Sequence, residues 1–479
     1  MTNYKVTYPW LQLSAALLVL CFLYIFPGAA PVPQLLRLLG VYYIADMAYR
    51  HLCPVNRAGR IALLVTWVFL AAGLTVNVWY FTTYSGGSVT APILFNNDAS
   101  LAWNEMTLRL EGATSTHERF ARLGYGIFLA ILSLGGTPTI DGMLDFNLLA
   151  ILVSIVLTGA ATPDLAGYND RGQRARACTT AMIFLASTSY YIIGGTILIK
   201  DAMCCLLMAV TLFALTRLST PSKGITKVMP YALLLAVSAA AMLIRPNQMA
   251  FIGIATLFAF FFLPHSCRLP LGVFCVLVTG VYFWTLLANI SAAPFELGDA
   301  TTNFEVENLD KECARLNAYE SVNGDYPRAS NLKKIMLLPF SLAVQFITPL
   351  PWAFARDAVF GPFVSWAHFS FPWYAIGGLL FFYGIFCLRR SPRACASMFL
   401  FAVAAWILTA FNTGGTVSRY CLPWMPFLMP AAAWLLVSGR WRCKTFRIWY
   451  GSYSALLILG LVLVFVCLNI YSPGGWEAS

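Results

Sequence analysis

Residues 61–81 read IALLVTWVFLAAGLTVNVWYF, twenty-one residues without Asp, Glu, Lys, Arg or His. Arg57 and Arg60 precede the run, and Thr82 and Thr83 follow it. As a helix it would be about 32 Å long at 1.5 Å per residue. That length crosses a hydrocarbon core of ~30 Å. Inside lipid, the helix is one of the two backbone arrangements that satisfy every N–H and C=O. Comparable apolar runs recur at 11–27, 34–50, 145–162, 177–195, 201–217, 229–244, 248–264, 270–288, 373–388, 395–411, 421–438 and 449–471. The fold expected is therefore all-α, a polytopic transmembrane helical bundle of about thirteen spans.

Composition agrees. Hydrophobic residues make up 59% of the 479 and charged residues 11%, where a soluble domain carries about 25% charged. The first run ends at Tyr24-Ile25-Phe26-Pro27. That is no small-residue cleavage site, so a retained signal anchor is expected. Most of the thirteen cysteines sit in apolar runs, as Cys204, Cys205, Cys275 and Cys387 do. No CxxC or Cys/His spacing suggests zinc or redox chemistry.

The net charge of +11 has a topological explanation rather than a nucleic-acid one. With the N-terminus inside, the cytoplasmic segments hold Lys5, the Arg50–Arg60 group, the Arg171–Arg176 group, Arg217, Lys223, Lys227, Arg268, the Arg389–Arg393 group and the Arg440–Arg447 group. They contain only two acids, Asp164 and Asp170. This is the positive-inside pattern. Counting Phe120–Pro138 or Ile335–Phe371 as a crossing would turn a basic cluster outward. Both are expected as interfacial or re-entrant outer helices, the second broken by Pro339, Pro349, Pro351 and Pro362. Outer hydrophilic matter then lies mainly in loops 82–144 and 289–372.

Four outer motifs carry polar chemistry. Asn96-Asn97-Asp98-Ala99 follows the third span; Asp98 is placed to act as a base above the membrane, or with Asn97 to cap a helix. Lys200-Asp201 opens the sixth span, as a local ion pair or as a phosphate contact beside an acceptor-orienting acid. Ile244-Arg245-Pro246-Asn247-Gln248 joins the seventh and eighth spans, where Arg245 serves a site or snorkels. Ser418-Arg419-Tyr420-Cys421-Leu422-Pro423-Trp424-Met425-Pro426 opens the twelfth span, with a guanidinium suited to a phosphate.

In this order and on this side, the motifs resemble the GT-C superfamily of polytopic glycosyltransferases. Asn97-Asp98-Ala99-Ser100-Leu101-Ala102-Trp103 is similar to its first-loop acidic string. Ile199-Lys200-Asp201-Ala202-Met203, Ile244-Arg245-Pro246-Asn247 and Arg419-Tyr420-Cys421-Leu422-Pro423-Trp424-Met425-Pro426 resemble three later motifs. The resemblance covers roughly 61–440, leaving a helix pair at 1–60 and a last helix and tail at 441–479. No Trp-Trp-Asp string occurs, which argues against an oligosaccharyltransferase.

The resemblance implies transfer of a sugar from a polyprenyl-phosphate-linked donor to a lipid, glycan or protein acceptor, on the extracytoplasmic face of a bacterial inner membrane. It implies catalytic Asp98 and Asp201, with Asp98 as general base. Arg419, Arg245 and Lys200 would hold the donor phosphate, and Asn97, Trp103 and Glu105 the acceptor. Attack would be in line and inverting. No cofactor is implied, no acid pair beside Asp98 calls for a divalent cation, and no nucleic-acid partner is expected. Two other classes fit many spans with a large outer loop: a polymerase or ligase of lipid-linked glycans, and a lipid or solute transporter.

Overall fold

The computed structural model describes residues 7–25, 31–84, 140–188, 191, 195, 201–220, 225–245, 247–292, 331–347, 370–413 and 418–471. These residues are overwhelmingly helical, with no strand among them. In chain order the helices are α1 (Thr7–Ile25), α2 (Pro31–Leu52), α3 (Arg57–Tyr84), α4 (Ile140–Leu165), α5 (Arg171–Ala186), α6 (Asp201–Ser219), α7 (Ile225–Ile244), α8 (Asn247–Ala259), α9 (His265–Ala292), α10 (Asn331–Ile347), α11 (Ser370–Phe382), α12 (Arg393–Thr413), α13 (Met429–Val437) and α14 (Lys444–Tyr471). A 3₁₀ helix, Ser418–Phe427, leads into α13. The expected spans overlap described helices, but the one at 248–264 leaves its helix after Ala259, and those at 11–27 and 177–195 extend beyond the described residues. Among the described residues, seven helical stretches are long and apolar enough to cross a membrane. The chain is a membrane protein.

α4 and α6 form the centre, packed along each other and surrounded by α2, α5, α7 and the 3₁₀ helix. α14 lies at the edge: only 6% of its apolar stretch is buried, so lipid is its main neighbour. Cys204, Cys205, Cys275 and Cys387 are buried thiols, acting as small apolar side chains.

The two ends of the bundle differ. At one end the α2–α3 turn meets the α4–α5 turn: Asn56 Nδ2 donates to Ala175 O at 3.0 Å. Tyr168 of that second turn donates to Trp434 O at 3.1 Å. Arg174 pairs with Asp164 at 2.6 Å, and Asp46 accepts from both Arg50 and Arg60. Cys267 Sγ reaches Leu218 O, which brings the α9 start to the α6 end. This basic end gathers the termini expected to be cytoplasmic. At the opposite, far end Arg37 pairs with Asp145 at 2.9 Å and Arg245 with Asp201 at 2.8 Å.

Both ends of α10 meet the far end. Lys334 Nζ stands 5.9 Å over the Phe411 ring near the end of α12. Phe346 O and Ile347 O accept from Trp373 and Tyr374 near the start of α11. Both ends of α10 thus lie against helix ends on one side of the bundle, at the start of the stretch 335–371 that was expected to be interfacial or re-entrant. The other expected re-entrant stretch, 120–138, lies outside the described residues.

Phe346 anchors α10 between Trp373, Phe381 and Trp406, over Gly377. A Cβ at Gly377 would fall within the Phe346 ring. Small residues let such membrane interfaces close. Gly377→Val is therefore expected to lever α10 out of its seat, at about 1–3 kcal/mol for an overpacked core. Faster proteolysis near Asn331 than in wild type would register it, and unchanged proteolysis would argue against the wedge.

Candidate functional site

The hydroxyls in this bundle bond their own helices. Thr75, Ser154, Thr158, Thr162, Thr211 and Thr256 each donate to the carbonyl four residues back. That local option satisfies a buried donor without a partner helix. Amides, carboxylates and guanidinium groups are too long or too charged for it. Where these collect, something else must meet them.

They collect in one layer near the far end. Gly195 packs on Leu70 and Ile151, fixing a common level. Asn77 lies seven residues further along α3, and Asn147 and Asp145 four and six residues back along α4. At 1.5 Å per residue these three sit roughly 6–10 Å further toward the far end, the end at which Asp201 opens α6. Asn77, Asp145, Asn147, Asp201 and Gln248 are all buried. Arg245 joins them through Asp201, its side chain 21% exposed against 3% for the acid.

A second side of the layer comes from the 3₁₀ helix. Pro423 and Pro426 lack backbone N–H groups and fit a tight, irregular turn better than an α-helix interior. Phe427 and Phe258 both pack on Phe401, at 4.6 and 6.2 Å between ring centroids. The 3₁₀ helix and α8 thus flank α12 at one level, and both also pack on α6. From Phe401 toward the far end, α8 leads to Gln248 and the 3₁₀ helix leads to Trp424. Trp424 stacks near Trp406 at 6.1 Å, and Cys421 Sγ approaches Gln345 Oε1 at 3.8 Å.

Here donors outnumber acceptors. Gln248 Nε2 and Trp424 Nε1 are buried without a hydrogen-bond partner, as are both amide atoms of Asn77. Gln248 is 2% exposed and Trp424 1%. A buried unmet donor costs about 1–3 kcal/mol, and an unbound ligand is one physical reason to keep one. An indole N–H and an amide NH₂ both ask for an acceptor-rich guest, such as phosphate or sugar oxygens.

The residues singled out from sequence divide into three groups. Asp201 and Arg245 are brought together as an ion pair, which the sequence reading had not joined; it had offered Lys200 to Asp201. Arg419 starts the 3₁₀ helix at the far end, one turn before Trp424, and its side chain lies outside the described residues. Asn97, Asp98, Trp103, Glu105 and Lys200 also lie outside them. Gln248 closed a quoted motif but received no role, and Trp424 stood inside the Arg419 motif as bulk. Only burial without a partner marks them, and a single sequence does not display that.

A surface groove lies elsewhere, on α9 at the basic end beside His265 and Arg268. It does not touch the polar layer. The buried polar groups outweigh its volume as a guide to chemistry.

No protein-family model, no curated protein and no solved structure matches this chain.

Proposed function

We propose that the protein is a membrane glycosyltransferase that moves a sugar from a polyprenyl-phosphate-linked donor to an acceptor at the far end, which we take as the extracytoplasmic face. The observation that carries this reading is the buried Asp201–Arg245 pair, with the unmet donor of Gln248 three residues on from Arg245 and that of Trp424 on the 3₁₀ helix that packs on α6. Acceptor-rich phosphate and sugar oxygens suit those donors. A polyprenyl tail suits the lipid that surrounds the bundle.

In this reading Arg245, Gln248 and Arg419 receive the phosphate and stabilise its charge as the C1–O bond of the sugar breaks. Asp201 holds the Arg245 fork in place. Asp98 removes the proton from the acceptor nucleophile, which attacks C1 from the face opposite the phosphate. The proton ends on Asp98 and the phosphate leaves on its polyprenyl chain. Lys200 adds positive charge, and Asn97, Trp103 and Glu105 line the acceptor side.

The test is transfer of labelled sugar from a synthetic polyprenyl phosphate by purified protein in nanodiscs. Gln248→Met is the informative variant, since it keeps length and removes the amide. Its stability should stay level or rise by about 1 kcal/mol, because an unmet buried donor is gone. Its transfer rate should fall about tenfold, the loss of one hydrogen bond to a charged guest. Wild-type transfer by Gln248→Met would remove this residue from the site.

A further inference from the structure

Beyond that reading, the groove on α9 at the basic end has a recognisable guest. We propose that it holds one anionic phospholipid, its head group on Arg268 and an acyl chain along α9. The groove encloses about 740 Å³, within the range of small-molecule sites. Its polar lining is His265 and Arg268, with no acid among the lining residues. Arg268 Nε donates to Leu263 O at 3.3 Å, which fixes the stem and orients the guanidinium fork.

Beyond the rim the lining turns apolar. Leu269 and Val276 are 79% and 72% exposed, and Phe260 of the α8–α9 turn forms the opposing wall. The space beside Gly272 is open: a Cβ there would meet no atom within 4 Å. From His265 to Leu277 is twelve residues, roughly 18 Å of helix. That is a little over half of a ~30 Å hydrocarbon core, so it matches one leaflet from head group to midplane.

Two features choose the guest. A dissolved phosphate would use the rim and leave the apolar stretch empty. A zwitterionic lipid would bring an ammonium group to a rim that offers no carboxylate. An anionic head group meets only donors there.

Native mass spectrometry of the full chain, released from micelles holding equal phosphatidylglycerol and phosphatidylethanolamine with identical acyl chains, tests the site. Wild type should retain one phosphatidylglycerol with about tenfold preference, one charge-assisted contact. Gly272→Leu fills the hollow without touching packed atoms, and Arg268→Gln removes the charge. Both should bring retention to parity, while Arg176→Gln, an exposed cation elsewhere at this end, should not. Added inorganic phosphate should leave the lipid bound. Equal retention of the two lipids by wild type, an undiminished preference in Gly272→Leu, or displacement by inorganic phosphate would each overturn the proposal.

Discussion

Arg245→Ala is expected to destabilise the folded protein by about 3–5 kcal/mol, the cost of breaking a buried ion pair from one side. The variant removes a guanidinium 2.8 Å from Asp201 and leaves a carboxylate buried inside a membrane bundle. The backbone corner between α7 and α8, where Arg245 O accepts from Gln248 N at 2.8 Å, is untouched by the substitution, so the loss reports the ion pair. The converse variant, Asp201→Asn, strands a cation that is partly exposed, so its cost should be smaller. The double variant Asp201→Leu with Arg245→Leu should recover much of the loss, because an apolar pair of similar volume carries no desolvation penalty. Denaturant titration in mixed micelles, read as a double-mutant cycle, measures this coupling. Costs of Arg245→Ala below about 1 kcal/mol, the range of exposed pairs, would mean that the pair is solvated and not part of a buried layer.

Asp98→Ala and Arg419→Ala are each expected to lower sugar transfer by about 10²–10⁴, the range for a general base and for a charge-stabilising donor. Expression and membrane insertion should match wild type, as expected of residues that act on the reacting atoms. The two losses should differ in kind. Without Asp98 the acceptor keeps its proton, so the rate should regain part of its value at higher pH, where more of the nucleophile is ionised. Without Arg419 the phosphate is a poorer leaving group at every pH. Near-wild-type transfer by Asp98→Asn would instead favour a polymerase working through outer arginines.

The fold was legible because its physics is coarse. An apolar run of span length has few ways to exist in lipid, and the basic clusters fix which ends lie together. The structure gathers Asn56, Asp164, Arg174 and Trp434 at one end, as the charge pattern requires. Boundaries were less legible, because hydropathy does not see caps or interfacial turns. The expected span at 177–195 starts instead as helix at Arg171, where the Asp170 side chain accepts from Gln173 N at 2.9 Å. The expected span at 449–471 begins at Lys444, since a helix continues through cations that reach the head groups. The span at 421–438 opens as a 3₁₀ helix on account of Pro423 and Pro426.

The site was legible only as types of residue at one end. Arg245 stood out because an ionisable group near membrane depth is costly, but its partner lies 44 residues away. Pairing at that separation is a tertiary fact. Asp46, inside the expected second span, is the acceptor that ties Arg50 and Arg60 together. Gln248 and Trp424 carried no signal of their own. An amide or an indole in an apolar run reads as a tolerated polar atom until the surrounding helices leave it without a partner.

The most direct test of the buried polar layer is an electron cryomicroscopy map of the protein in nanodiscs with a bound polyprenyl phosphate. The account expects the phosphorus density at the far end, with phosphate oxygens within about 3.5 Å of Gln248 Nε2 and of the Arg245 or Arg419 guanidinium, and the tail leaving toward lipid. Polyprenyl phosphate bound away from these residues, or a polar layer closed around Asp201 and Arg245 with no phosphate in it, would contradict it.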